Sequence, residues 1–565
     1  MLIIPIRKYF VRDRHGELPF PEGTATTEIL VSGESSGGGA GKILVASFCL
    51  GGVYDFLVET FHAWNPSLTT KVLLGRAGQW LDGFRLELKM TSIAALFGLG
   101  YIIGLKYSAI IFAGSVLAYL VMVPMLFLIG QHLPEFTYAD GVYHIANMSG
   151  SDIFGAFIKP IGIGAIAVAG IIGLIRMGKI IVSSLSLGFK GIGKQKGASA
   201  LRTDWDMKPS TVLLTQLGAT LLMGVLFFVV CMQQSEYSVT QSLIYSLIGM
   251  VIAFLLCFLF TPVAAEAIAI VGVNPVSGMT LVTVVISSLV MAAVGLFGNA
   301  GIFVALIIGT AVCTALSTSG ALISDFKIGY WVGATPRNQE IWKFVGLAVA
   351  ALVVSLVIPL MDQGYHFLIE KGGHLVSNEE VLPAPQANMI AAVVRGLMTG
   401  GEQPYLLYAL GGLIAILVTM AGIPTLAFAL GMYLPISLTS AQLVGGFVAW
   451  FVARSGGSDR VREARKSQGM LIASGMMAGA AIFGIISAVL RLKETGFAIK
   501  HLSIGVNFLE ETSSTGEPIL GHKAAEWFAG FTGQAMGLAM FLVLIACTYL
   551  LARWGAKMQM KEEEE

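Results

Sequence analysis

The sequence predicts an all-α polytopic membrane protein, and three observations carry that prediction. The chain of 565 residues is 55% hydrophobic, with a mean hydropathy of +0.79. Charged residues make up only 12% of it, against about 25% in an ordinary soluble domain. The apolar residues fall in runs of membrane-crossing length, roughly 17–25 residues. The net charge of +1 and the lack of a basic arm indicate no nucleic-acid partner. Cys49, Cys231, Cys257, Cys313 and Cys547 all lie in apolar runs without a CxxC pair, so no disulfide framework or zinc site is indicated. Met1–Ile6 is too short for a signal-peptide core and runs straight into Arg7-Lys8.

Taken in order, residues 1–10 resemble the end of a truncated membrane helix, and 11–41 a cytoplasmic loop closed by Gly37-Gly38-Gly39. Spanning runs fall near 43–61, 88–105, 107–130, 153–176, 211–231 and 239–260. More follow near 279–297, 301–323, 341–361, 404–421, 470–491 and 530–552, for roughly 12–13 spanning helices. Interrupted runs at 261–275, 386–399, 425–438 and 440–453 are short or broken by Pro and Gly. They predict re-entrant segments or half-helices. The 68 glycines suit closely packed helices, with Gly475, Gly479 and Gly484 as contact points.

Loop charges orient these elements. The loop 176–210 carries seven Lys and Arg against Asp204 and Asp206, and 454–468 carries five against Asp459 and Glu463, which places both in the cytoplasm. The loops 131–152, 362–403 and 492–529 then fall outside. One loop, 62–87, fits poorly, because it should be outside yet holds Lys71, Arg76 and Arg85.

The stretch 260–281, FTPVAAEAIAIVGVNPVSGMTL, carries a carboxylate, Glu266, and then breaks at Asn274-Pro275. A charge at membrane depth is costly and faces a cavity or a partner. A broken helix frees backbone groups that only protein or water can satisfy. Discontinuous helices of this kind build substrate sites in many secondary transporters. The run 425–453 shares a Pro-x-Ser with it, at Pro435 and Ser437 against Pro275 and Ser277. Inverted internal repeats, with a site where they meet, are therefore expected.

The candidate substrate contacts are Glu266, Asn274, Ser277 and Tyr433. Glu266 would meet an ammonium or a coupling proton; otherwise it is a solvated helix-end residue. Ser277 would sit at a helix N-terminus, whose dipole favours a carboxylate, or be an N-cap and nothing more. Tyr433 would reach the site with its hydroxyl or simply pack. Asp55 and Glu59, four apart, share a helix face. With Glu28 they are candidates for proton coupling or for lining a cavity; the bland alternatives are an interface position for Glu59 and an ordinary loop for Glu28. Asp325, Lys327, Arg337 and Gln339 are expected in a cytoplasmic loop, forming conformational ion pairs. The histidines show no ligand spacing. No cofactor is expected, and a metal would arrive already chelated.

Five blocks together resemble the oligopeptide transporter (OPT) family, which includes the yellow stripe-like metal-chelate transporters. They are LPFPEGTATTEIL at 18–30, GVNPVSGMT at 272–280, SDFKIGYWVGATPRNQ at 324–339, FALGMYLPISLTSAQLVGG at 428–446 and GMLIASGMMAG at 469–479. They run in family order along nearly the whole chain. Family members carry further hydrophobic segments before the first block, which here begins near residue 19. The resemblance implies one transporter domain over 1–565 and proton-coupled import of small oligopeptides or metal chelates. It implies a multi-pass protein in the plasma membrane of a prokaryote, with the bilayer, protons and a second copy of the chain as partners.

Rival classes fit less well. A nucleotide-driven pump needs a phosphate loop; the nearest match, SGGGAGKI at 36–43, lacks its first Gly and has Ile43 where Ser or Thr must hold magnesium. An intramembrane protease lacks the partner motifs for Tyr54-Asp55, so no enzyme is indicated. A channel, or a truncated relative that no longer transports, is the alternative that the residues leave open.

Overall fold

The structure is a computed structural model. It describes residues 1–18, 20, 23, 26–27, 30–31, 39–138, 141–169, 172, 175, 201–233, 237–271, 276–371, 374–377, 385–398, 404–512 and 518–562. The longer helices are α1 (Gly39–Glu59), α2 (Ala94–Val116), α3 (Val123–Gly130), α4 (Gly150–Ala169), α5 (Pro209–Gln233), α6 (Val239–Val271), α7 (Val276–Ala293) and α8 (Gly298–Trp331). After them come α9 (Pro336–Tyr365), α10 (Pro385–Met398), α11 (Tyr405–Met420), α12 (Thr425–Tyr433), α13 (Ile436–Arg454), α14 (Asp459–Leu490) and α15 (Phe531–Glu562). Among the described residues, ten helices are long and apolar enough to cross a membrane, and two shorter apolar ones, Met279–Ala293 and Tyr405–Met420, accompany them. The protein is therefore an all-α polytopic membrane protein, as the composition predicts.

Several boundaries differ from the sequence reading. The run 88–105 is not a span. It opens with a strand, and α2 begins only at Ala94 and leaves helical geometry at Gly104 (φ 79°, ψ 164°). The ten residues before that break rise about 15 Å, half of what a bilayer requires. The run 261–275 is not a separate short segment, because Thr261–Val271 is the end of the 33-residue helix α6, which holds Pro262 in its interior. The run 440–453 is not a half-helix, because α13 has 19 residues and starts at Ile436. The expected loop 454–468 is mostly the first turns of α14, started by Ser458, whose hydroxyl accepts from the Val461 amide. The last case has a plain reason. Hydropathy reports where a helix meets lipid, while a helix rich in Glu, Arg and Ala continues past the bilayer.

The described chain forms two compact units. The first comprises 1–31, 166–352 and 386–405; the second comprises 32–165, 353–385 and 406–565. Neither is contiguous in sequence. In the first unit α5, α6, α7, α8 and α10 close one apolar core around Phe227, Phe260, Met291, Val304, Ile308 and Met398. A neighbouring core joins Ile3, Ile4, Ile6, Phe10, Val11 and Phe20 to Leu322, Ile323 and Phe326 of α8 and to Ala265, Ile268 and Ala269 of α6.

In the second unit small residues let helices touch backbone to backbone. A Cβ on Gly51 of α1 would strike Met476 of α14, and one on Gly479 of α14 would strike the Phe48 carbonyl of α1. Gly100 of α2 likewise abuts Gln442 of α13, and Gly445 of α13 abuts the Phe97 carbonyl. Gly475 and Gly479, read from the sequence as contact points, do approach α1 in this way.

Among its described residues, the same unit carries four antiparallel two-stranded pairs. They are β1 (Ser67–Thr69) with β2 (Lys89–Thr91), β3 (Phe136–Tyr138) with β4 (Gly141–Tyr143), β5 (Leu368–Lys371) with β6 (His374–Ser377), and β7 (Val506–Thr512) with β8 (Pro518–Ala524). Each falls in or beside a loop that the charge pattern assigns to the outside. In the loop 62–87, Lys71 pairs with Asp82 at 2.7 Å and Arg85 lies 4.6 Å over the Phe127 ring. Two of its three basic residues are thus engaged locally.

Candidate functional site

The second unit contains a broken membrane helix. α12 ends at Tyr433, Leu434 (φ −72°, ψ 142°) and Pro435 (φ −55°, ψ 136°) are extended, and α13 starts at Ile436. Proline has no amide hydrogen to continue the helix and biases Leu434 away from helical geometry. The break frees carbonyls at the end of α12, and one is satisfied from α2. Ser115 donates to the Gly431 carbonyl at 2.7 Å, and Thr439 donates to the Ser115 hydroxyl at 2.8 Å. Tyr433 is fully buried at the break, and the Lys159 ammonium of α4 lies 5.4 Å from its ring centroid. Lys159 follows a π-turn, Phe154–Ile158, and precedes Pro160. Such turns recur at functional sites.

The first unit holds the other predicted break. Glu266 lies on α6, five residues before its end at Val271, and Ser277 lies in the first turn of α7. Asn274 falls outside the described residues, as does Glu28.

The two carboxylates of α1 part company. Asp55 is buried and accepts two backbone hydrogen bonds, from Ala94 to Oδ1 at 2.7 Å and from Ala95 to Oδ2 at 3.1 Å. It caps α2, whose own N-cap position is Ile93 and has no side chain able to accept. Beside it, the Tyr54 hydroxyl donates to the Ser92 carbonyl at 3.2 Å. Glu59 is half-buried one turn on, with Oε2 3.7 Å from where a Cβ of Gly484 would stand. The Arg491 Nη2 donates to the Glu59 backbone carbonyl at 3.1 Å. That guanidinium is covered by Tyr365 at 4.9 Å and Phe508 at 5.4 Å. It also completes the C-terminus of α1, where a cation is favourable.

The four residues expected in a cytoplasmic loop are on helices instead. Asp325 and Lys327 belong to the last turns of α8, and Arg337 and Gln339 to the first turn of α9. The turn between them is short because Gly333 takes φ 76° and Pro336 opens α9. The ion pairing differs from the pattern that sequence proximity suggests. Asp325 pairs with Lys343 at 2.8 Å, and the Gln339 amide donates to the Asp325 carbonyl at 2.8 Å. The Arg337 side chain is exposed, while its backbone amide donates to the Trp205 carbonyl at 3.0 Å. Lys327 is fully buried, and its ammonium donates to the Val11 carbonyl at 2.8 Å.

Nearby, Arg7 is only 1% exposed and pairs with Asp206 at 2.6 Å. Arg12 reaches Asp204 at 3.2 Å, and Glu340 accepts from the Met207 amide at 2.8 Å. The segment 1–18 is thereby tied to 201–208 and to the junction of α8 with α9.

Sequence reasoning missed Lys159, Arg491 and His15. A signal existed for Lys159, since it is a charge inside an apolar run, the criterion that singled out Glu266. Arg491 and His15 had no such signal, because their partners are remote in the chain.

Membrane-length helices, one broken within a buried polar setting and others with ionisable residues turned inward, define a polytopic membrane protein. A model of the OPT oligopeptide transporter protein family matches residues 1–491, and the chain belongs to that family. It is also 26% identical over 519 residues to a Haemophilus influenzae protein named "Putative oligopeptide transporter", covering 86% of this chain and 78% of that one.

Proposed function

We propose that the protein is a proton-coupled secondary transporter that imports small oligopeptides across the plasma membrane of a prokaryote. Family membership supports oligopeptides as cargo, and the name and bacterial source of the relative agree with it. The coupling reading rests on Glu59, a half-buried carboxylate at the end of α1, where the Arg491 guanidinium donates to its backbone carbonyl. A carboxylate so placed alternates between a proton and an ion partner with little other change, which coupling requires. Asp55 is the weaker coupling candidate, because both of its oxygens are committed to the α2 cap.

Glu266 and Ser277 are proposed substrate contacts. Ser277 sits at the start of an 18-residue helix, where free amides favour a carboxylate. Asn274 joins them by sequence position. Tyr433, with Lys159 against its ring, is the proposed contact at the other break.

The test is uptake of a labelled tripeptide into proteoliposomes with an imposed inward proton gradient. Uptake should collapse on adding a protonophore and should lose its pH dependence in Glu59→Gln. Uptake that persists unchanged without the gradient refutes the coupling.

A further inference from the structure

Lys327 has surroundings unlike those of any other described lysine. Its buried ammonium is enclosed by three rings, with Nζ 5.3 Å from the Phe20 centroid, 5.6 Å from Tyr330 and 5.1 Å from Trp331. Aromatic faces attract a cation. Phe20 holds φ 43°, an unfavourable conformation for a side chain of its size, and its amide donates to the Ala269 carbonyl at 2.9 Å. The ammonium meets two nitrogen or oxygen acceptors, the Val11 carbonyl and His15 Nδ1, the latter at 3.0 Å. His15 is exposed to water and edges onto the Tyr330 ring at 5.4 Å.

The contact between these nitrogens constrains the protons. While Lys327 is charged its ammonium only donates, so Nδ1 accepts and the contact requires a neutral His15 with its proton on Nε2. A proton on Nδ1 would set two cations against each other at hydrogen-bond distance. Among the described side chains, no carboxylate on the neighbouring elements is in position to relieve that. Arg7 and Lys8 engage Asp206, Arg12 engages Asp204 and Asp13, and Arg14 engages Glu17. On α8 and α9, Asp325 is held by Lys343, while Glu340 receives the Met207 amide.

We propose that His15 and Lys327 form an acid-released latch, which holds the segment around Val11–Leu18 on the end of α8 while His15 is neutral and frees it when His15 is protonated. Histidine is the side chain whose charge changes between pH 5 and 8, and this one is reachable from water while its partner is not. The loop assignment puts the latch on the cytoplasmic face. Its place in the transport cycle rests on the proton-coupled reading: a proton delivered to that face would open it. The latch itself does not depend on that reading.

Hydrogen–deuterium exchange of the full-length protein in nanodiscs tests it, with protection of residues 9–18 compared at pH 8 and pH 5.5 after correction for intrinsic rates. Wild type should lose protection by about tenfold or more at pH 5.5. His15→Gln, which accepts at both pH values, should keep it, and His15→Arg should be unprotected at both. Equal protection of the wild type at the two pH values overturns the latch, as does an equal loss in His15→Gln. The wild-type comparison stands even if a variant fails to fold. Peptide uptake by the same samples is read separately, so loss of uptake with an intact pH response counts against the transport reading alone.

Discussion

Asp55 and Glu59 are four residues apart, yet they have separate jobs. Removing the Asp55 carboxylate strands one buried and one partly buried amide, a buried one being worth about 1–3 kcal/mol. Asp55→Ala should therefore lower thermal stability by roughly 2–4 kcal/mol, read as an earlier unfolding midpoint in detergent. Asp55→Asn keeps one acceptor and should recover part of that loss. Neither variant should alter the pH profile of whatever uptake remains, whereas Glu59→Gln should fold normally and lose that profile. An altered profile in Asp55→Asn would return Asp55 to the coupling machinery. The shared face of this pair was legible from the spacing of four. The cap was not, because the amides it serves are 39 and 40 residues further along the chain. Lys327 was legible in the same partial way. Its motif marked it, but its partners come from Val11 and His15, more than 300 residues away, and not from the neighbouring Asp325.

Among the elements, helix contacts made by glycine give the sharpest expectations. A Cβ on Gly445 would overlap the Phe97 carbonyl, and one on Gly431 the Ile111 carbonyl, with backbone on both sides of each contact. Neither backbone can yield locally, so Gly445→Ala and Gly431→Ala should each cost about 1–3 kcal/mol by denaturant or thermal unfolding. Gly218, on the exposed face of α5, meets nothing within 4 Å, so Gly218→Ala should be neutral or stabilise by up to about 1 kcal/mol. If all three behaved alike, close packing would not be the reason for these glycines. The spans themselves were legible because each must present some twenty apolar residues to lipid. Their ends were not. The charged start of α14 and the Asp325–Trp331 end of α8 continue a helix beyond the apolar run, and hydropathy has no term for that. The β7–β8 hairpin escaped for the opposite reason, since a two-stranded pair in a polar connection leaves no long periodic signal.

For the whole molecule, the proposed cargo rests on two interruptions, the Asn274-Pro275 break in the sequence and the helix break at Leu434-Pro435. The proposed contacts at the first are an acid, Glu266, and the helix start at Val276, which would together suit a zwitterion with its ammonium toward one and its carboxylate toward the other. The second brings a cation, Lys159, to the ring of Tyr433. Peptides of three to five residues present both charges at a separation that grows with length, whereas a metal chelate gathers its carboxylates around the ion. Competition against labelled tripeptide uptake, by tri- to pentapeptides and by iron and nickel chelates, should therefore show inhibition by peptides with free termini. Blocking the amino terminus should weaken competition in wild type by about tenfold, the value of one ionic contact of roughly 1.4 kcal/mol. In Glu266→Gln, with expression intact, transport should be lost or uncoupled, and any remaining competition should no longer distinguish free from blocked amino termini. Wild-type uptake in that variant would remove Glu266 from the mechanism, and stronger competition by the chelates would reassign the cargo.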